Sequence, residues 1–199
     1  MKTGIRFDLI GLIIAIFGLH AGSLYCQNIV IKYTILRETD SGFELAKKNA
    51  SVSETKKNFF EKFEYNNNYL KKVCLYDKKG HLYDGVYNNA ITTYEYSNNK
   101  LKYKKLYDKN KRRVENGFMG YWAIEFFYDR QGRIIKKTYI DKQGSPLKYN
   151  PNTDEDPPYV EYEYMRNGKC IEKSLDNNYK IIRQDTCVCP CMKIKLNEY

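Results

Sequence analysis

From Phe59 to Lys180 apolar and polar residues alternate in short runs, and the alternation is interrupted at a nearly constant interval. Period-two alternation over four to eight residues is the pattern of a strand with one face buried. Four stretches carry it: FEYNNNYLKKVCLYD (Phe63–Asp77), YEYSNNKLKYKKLYD (Tyr94–Asp108), FFYDRQGRIIKKTYID (Phe126–Asp141) and YEYMRNGKCIEKSLD (Tyr162–Asp176). Each has a Tyr closing an aromatic strand, a turn, a second strand, and an Asp opening the next turn. Tyr65, Tyr96, Tyr128 and Tyr164 are separated by 31, 32 and 36 residues; Asp77, Asp108, Asp141 and Asp176 by 31, 33 and 35. Two anchors drifting together mark an internal repeat.

The turns support hairpins. Asn66–Asn68, Asn98–Asn99, Gly132 and Gly168 stand where a tight hairpin needs the left-handed backbone that Asn and Gly tolerate. A second turn follows each hairpin as DKKG (Asp77–Gly80), DKNK (Asp108–Lys111) or DKQG (Asp141–Gly144). In the second unit, strict alternation places Leu101, Tyr103, Lys105 and Tyr107 on one face and Lys102, Lys104 and Leu106 on the other. Variable links separate the units: Asp84–Ala90, Glu115–Ala123 and Lys148–Val160, the last holding three Pro and an acidic run. A lone hairpin cannot bury its apolar face, so the units are expected to stack. The equivalent tyrosines would then form a ladder in the repeat core, together with the repeated Asp.

Before the repeats, the β-branched run Gln27–Leu36 predicts a strand and Arg37–Gly42 a turn. Phe43–Lys57 has no clear period, and Ser51 or Ser53 is a candidate cap for a short helix ahead of Glu54. After Lys180 the pattern decays, with Ile181–Arg183 a candidate final strand. The fold expected is therefore all-β: an array of about four antiparallel β-hairpin repeats in an extended sheet, preceded by a leader and a short strand/helix segment. The divisions are 1–26, 27–58, 59–180 and 181–199, the last a cysteine-containing tail.

Composition agrees with this reading. The 199 residues include 20 Tyr, and Tyr favours strands. At the N-terminus, Lys2 and Arg6 precede an 11-residue apolar run, Leu9–Leu19. That is short for a bilayer span, which needs ~20 residues, and it fits a secretory signal. Cleavage is expected after Ser23 or after Cys26. A lipid anchor on Cys26 is the alternative, with Tyr25 bulky for that purpose, and an uncleaved anchor a third. Export to a periplasm, a cell surface or the medium follows. The formal charge is +10, near +9 without the leader, which invites anionic partners. Export lowers nucleic acid among them. Spread through the repeats, the Lys also read as a solvated, edge-protecting strand face.

Candidate chemistry is sparse. His81 is the only histidine beyond the leader and lies in a turn, a poor foundation for a nucleophile–base site. No phosphate-cradling glycine motif is present. Glu161 with Glu163, or Glu172 with Asp176, offer carboxylate pairs of the kind a glycan hydrolase needs; cross-strand pairing with lysine is the competing use. Asp154–Glu155–Asp156 lacks the spacing of a calcium loop. The cysteines are the sharpest feature. Cys187, Cys189 and Cys191 are clustered, and Cys74 and Cys170 lie in the repeats. In an exported chain these five are disulfide candidates that staple the tail to the sheet. Soft-metal binding by the C-x-C-x-C run lacks a visible fourth ligand, and unpaired thiols are the third reading. No cofactor and no catalytic residue are expected.

The third unit, Phe126–Gly144, resembles the YD repeat of the RHS family, whose core is Tyr-Asp-x-x-Gly-Arg-Leu/Ile. Tyr128, Asp129, Gly132, Arg133 and Ile134 match it. Tyr76, Asp77, Gly80 and Leu82 match with His81 in the Arg place; Tyr107–Asp108 keeps the first pair, and Tyr164 lacks the following Asp. The chain is also similar to the tyrosine-rich hairpin repeats of MORN-type proteins, without their Gly-x-Gly signature. The resemblance covers about 120 residues and implies a stacked-hairpin sheet with a surface or interaction role. Four units are too few for the toxin-enclosing shell of large RHS proteins. The function expected is thus a non-enzymatic exported or envelope protein presenting a Tyr/Lys-rich β-surface to a protein or to an anionic glycan or lipid. A structural part of a larger envelope assembly, self-associating through open sheet edges, is the alternative; a glycan hydrolase and metal handling by the tail follow.

Overall fold

The computed structural model describes residues 28–39, 42–117, 119–151 and 157–188. The leader with Cys26, the run Asp154–Asp156, and Cys189 and Cys191 lie outside them. Eleven strands build one antiparallel sheet: β1 (Ile29–Thr39), β2 (Gly42–Lys47), β3 (Phe59–Asn66), β4 (Tyr69–Tyr76), β5 (Ile91–Ser97), β6 (Lys100–Tyr107), β7 (Ala123–Tyr128), β8 (Ile134–Ile140), β9 (Tyr159–Tyr164), β10 (Lys169–Leu175) and β11 (Ile181–Val188). From β3 onward neighbours in sequence are neighbours in space; β1 pairs with β3, and β2 forms the edge beyond it. The all-β expectation and the four hairpins are both present.

The turn chemistry explains the hairpins. Asn67, Asn68, Asn98 and Asn99 all have positive φ between 48° and 66°, and Gly132 and Gly168 have φ of 84° and 78°. Each hairpin is a ladder of six or seven residue pairs, whereas consecutive hairpins share only three, as in Lys72–Cys74 with Ile91–Thr93. These seams lie toward the link ends of the strands. Each post-hairpin turn adds a single bridge, Tyr76 to Leu82, Tyr107 to Arg113 and Ile140 to Pro146.

Three sequence expectations are corrected. Strict alternation fails in the second unit because the ladder passes from Glu95–Tyr103 to Tyr96–Leu101, leaving Lys102 as an extra residue. A bulge of this kind shifts the phase of every side chain beyond it. Leu101 therefore shares a face with Lys104 and Leu106, not with Tyr103. The same slip occurs at Lys71 and Ile135, while the fourth hairpin runs straight from Glu163–Ile171 to Tyr164–Cys170. Second, Arg37–Thr39 is strand, not turn, because β2 pairs with it, Arg37 opposite Glu44. Third, the final strand runs to Val188, not Arg183, with seven pairs to β10. The short helix α1 (Val52–Thr55) does follow Ser51, whose backbone N–H donates to the Glu54 carboxylate at 2.8 Å.

One face of the sheet carries Phe63, Tyr65 and Leu70, then Leu101 and Leu106, Ile124, Phe126 and Ile134, and Val160, Tyr162 and Cys170, all buried. The links lie against it: Tyr121 packs on Tyr139 with ring centroids 5.3 Å apart. The other face is mostly polar toward the hairpin turns and apolar toward the links, where Phe60 stacks on Tyr76 and Cys74, Ala90 and Ile91 are buried.

Candidate functional site

The repeated Asp and Tyr have structural tasks. Asp77, Asp108, Asp141 and Asp176 each accept the backbone N–H four residues on, at 2.8–2.9 Å. Three of them also accept the N–H two residues on. Asp129 does the same for Arg133 and takes its Nε as well. These carboxylates clamp the turns. They do not form a core, although Asp108 is buried. The His81 N–H holds Asp77, and the Arg133 N–H holds Asp129, below the ordinary carboxyl pKa.

Each repeated Tyr stands opposite a buried residue across its hairpin: Tyr65 and Leu70, Tyr96 and Leu101, Tyr128 and Ile134, Tyr164 and Cys170. Tyr65 is 2% exposed; Tyr96, Tyr128 and Tyr164 are half-buried. Two of the hydroxyls reach the preceding hairpin. Tyr128 donates to the Leu101 carbonyl at 2.8 Å and Tyr164 to that of Ile134 at 2.7 Å. Both carbonyls lie beyond the three-pair seams. Tyrosine thus supplies the hydrogen bond where the ladder between units has stopped, which an unpaired buried carbonyl would otherwise lack. Burial, first, pushes the Tyr96 hydroxyl up to about 12.

On the more polar face the charges largely match. Glu64 lies between Lys62 and Lys72, Glu125 accepts from Lys102 and Tyr103, Lys105 meets Glu95, and Lys173 meets Glu163 at 2.7 Å. Glu161 and Glu163 are on this one face, Glu161 opposite Lys173 and Lys136 in register. Cross-strand lysines flank this pair. Glu172 and Asp176 are not brought together: Glu172 lies against Tyr162 on the other face, and Asp176 clamps its turn. His81 is at the surface, 3.5 Å from Asp77.

Two lysines differ. Lys136 sits 4.6 Å from the ring centroids of both Tyr159 and Tyr179, which stack on each other at 4.6 Å. Lys71, the bulged residue of the first hairpin, lies 4.7 Å over Tyr96 and 5.8 Å over Tyr69. Among the described residues neither ammonium has a carboxylate partner. Tyr179 holds a positive φ of 61° in the turn position that Gly80 and Gly144 occupy elsewhere.

Cys170 is bonded to Cys187, with Cα atoms 5.3 Å apart, so the tail is stapled to the fourth hairpin. Cys74 is a buried free thiol, raised above its ordinary pKa by burial. It lies six strands away from Cys170 and on the opposite face, far beyond the reach of a disulfide. No group of three metal-ligating side chains occurs among the described residues.

The packed face also contains charges, of which alternation could have revealed one, Glu61. Glu61 is in phase with Phe63 and Tyr65, and burial raises its pKa. It lines a cavity of about 330 Å³ walled by Leu36, Phe43, Val73, Leu75 and Val86, with Asn89 and Thr92 as further polar groups. Lys104 and Lys137 share that face, and burial lowers both. Lys137 lies 5.0 Å over Tyr162, whose hydroxyl is raised by burial and by Glu172. The bulge hid the two lysines, since only the slipped register turns them inward.

Comparison with known proteins finds no match among protein-family models, curated proteins or solved structures.

Proposed function

We propose that the chain is a non-enzymatic, exported or envelope-associated repeat module that binds a partner through its Tyr- and Lys-rich surface. The observation that carries this reading is that Lys71 and Lys136 each lie over two rings with no carboxylate partner among the described residues. Most polar-face lysines are matched by carboxylates, whereas Lys71 and Lys136 present positive charge over aromatic platforms. A cation over a ring keeps its attraction for an anion while the ring holds it in place. The partner chemistry is an anionic surface glycan or lipid, or a protein with an acidic patch. The YD-like hairpins serve as scaffold in this reading.

The test is retention of residues 27–199 on vesicles with and without anionic lipid, and on neutral and sulfated polysaccharide, across a salt series. Salt-sensitive binding to the anionic members, weakened in Lys71→Gln/Lys136→Gln, is expected. Equal retention on neutral and anionic surfaces overturns it. A second reading, a component of a larger assembly, is favoured by the two sheet edges, β2 and β11, that lack a neighbouring strand within the described residues. Exposed Ile181 and Ile182 lie on one of them. Sedimentation at low concentration separates the readings, since end-to-end growth would give a ladder of oligomers.

A further inference from the structure

We infer that the cavity around Glu61 is a binding site for a small organic cation, an ammonium group carried on an apolar stem. This site is separate from the ring-mounted lysines and does not depend on them.

The argument begins with strand geometry. In β3 the side chains of Lys62 and Glu64 point to one face and those of Glu61, Phe63 and Tyr65 to the other. Lys62, Lys72 and Glu64 satisfy one another on the first face. On the second face the neighbours of Glu61 across the ladders are Thr34 and Leu75, neither of which carries charge. Among the described residues, no hydrogen bond or ion pair reaches its carboxylate. An anion set into apolar surroundings without a counter-charge is unfavourable, and a cation from outside removes that penalty.

The walls fit an apolar stem. Leu36 and Phe43 come from β1 and β2, Val73 and Leu75 from β4, and Val86 from the first link. The link is held there by backbone bonds, Leu75 N–H to the Ala90 carbonyl at 2.8 Å and Tyr83 N–H to the Leu75 carbonyl at 3.0 Å. Close approach fixes both sides. A Cβ on Gly85 would come within 2.9 Å of Leu75, and one on Gly42 within 2.8 Å of Val86. The Asn89 amide, 3.4 Å from the Thr92 hydroxyl, adds polar groups at the same cavity. About 330 Å³ is at the lower end of the size of small-molecule pockets. The raised Glu61 pKa agrees with a carboxylate that lacks a cation.

The probe is n-hexylammonium, titrated into residues 27–199 by calorimetry and by NMR of the Glu61 side-chain carboxyl, with n-hexanol and hexanoate as controls. Saturable binding of hexylammonium, weaker binding of hexanol and none of hexanoate are expected. Bound hexylammonium should also lower the pH at which the Glu61 carboxyl titrates. Glu61→Gln keeps the volume and should weaken hexylammonium at least about tenfold, equivalent to ~1.4 kcal/mol, while leaving hexanol unchanged. Should that variant not fold, Val86→Lys is the second arm. Val86 is 59% exposed, and a lysine there offers a tethered ammonium that should exclude the probe. Equal affinity for hexanol and hexylammonium, or hexylammonium binding unaffected by either substitution, overturns the proposal.

Discussion

The second and fourth hairpins begin from the same tripeptide, Tyr-Glu-Tyr at 94–96 and at 162–164, and finish by different means. In the second, Tyr96 faces Leu101, a bulge at Lys102 turns Lys104 and Leu106 inward, and further hairpins lie on both sides. In the fourth, Tyr164 faces Cys170, the ladder has no bulge, and among the described residues the only strand beyond is β11. From Ile181 to Thr186 that strand is exposed. An interior unit can rely on apolar burial against its neighbours. The end unit still buries Tyr159, Val160, Tyr162 and Leu175, but the strand beyond it is exposed, and the Cys170–Cys187 bond occupies the place where Leu70, Leu101 and Ile134 supply packing elsewhere. Small amounts of buried surface are where cross-links matter most.

Perturbations should therefore separate the interior from the end. Tyr65→Ala, at a fully buried interior ring, should destabilise by roughly 3–5 kcal/mol in denaturant unfolding; an unchanged midpoint would remove this tyrosine from the core. Cys170→Ala, or reduction, opens a 17-residue separation. The loss should be about 3 kcal/mol on the chain-entropy account. Hydrogen exchange should then show β10 and β11 released while β3 to β6 stay protected. Tyr128→Phe removes only the hydroxyl bond to Leu101 and should cost about 1 kcal/mol, with faster exchange at the β6–β7 seam. At Lys111, whose φ is +63° in the turn position held by Gly80 and Gly144, Gly should stabilise by about 0.5–1 kcal/mol. The same change at Tyr179 should gain less, because the stack on Tyr159 is lost.

The smallest effect expected is a response to acid. Asp77 and Asp129 have folded pKa values below the ordinary one, so their stabilisation is present above the unfolded value of about 3.9. It is lost as pH falls through the folded values. The melting temperature should drop as the pH falls below about 4, less so in Asp77→Asn/Asp129→Asn. Both carboxylates sit in surface turns and keep partial exposure, so solvent screening keeps the effect modest. An identical acid profile in that variant would show that the clamps act through geometry alone.

Turns, hairpins and the repeat were legible because they depend on neighbours in sequence. Asn98–Asn99 and Gly132 announce a positive φ, and Asp108 finds its acceptor task within four residues. The bulges were not legible. Lys71, Lys102 and Ile135 carry no common side-chain mark, and strict alternation put Leu101 beside Tyr103 where the slipped ladder puts it beside Lys104. Strand β2 was missed because GFELAK at an edge has little apolar pattern, its burial running from half-buried to exposed. Glu61 was visible in principle, being in phase with Phe63 and Tyr65, but a charge in an apolar phase reads as noise until a cavity is found beside it.

The amino-acid sequence by itself determined a four-fold series of hairpins and the turn that closes each one, since these follow from φ preferences and short-range hydrogen bonds. Tertiary structure decided the rest: which cysteine meets Cys170, which face Lys104 and Lys137 enter, and that Glu61 lines a cavity. Those outcomes depend on register between strands. A slip of one residue reverses every side chain beyond it, and only the assembled sheet fixes where the slip occurs.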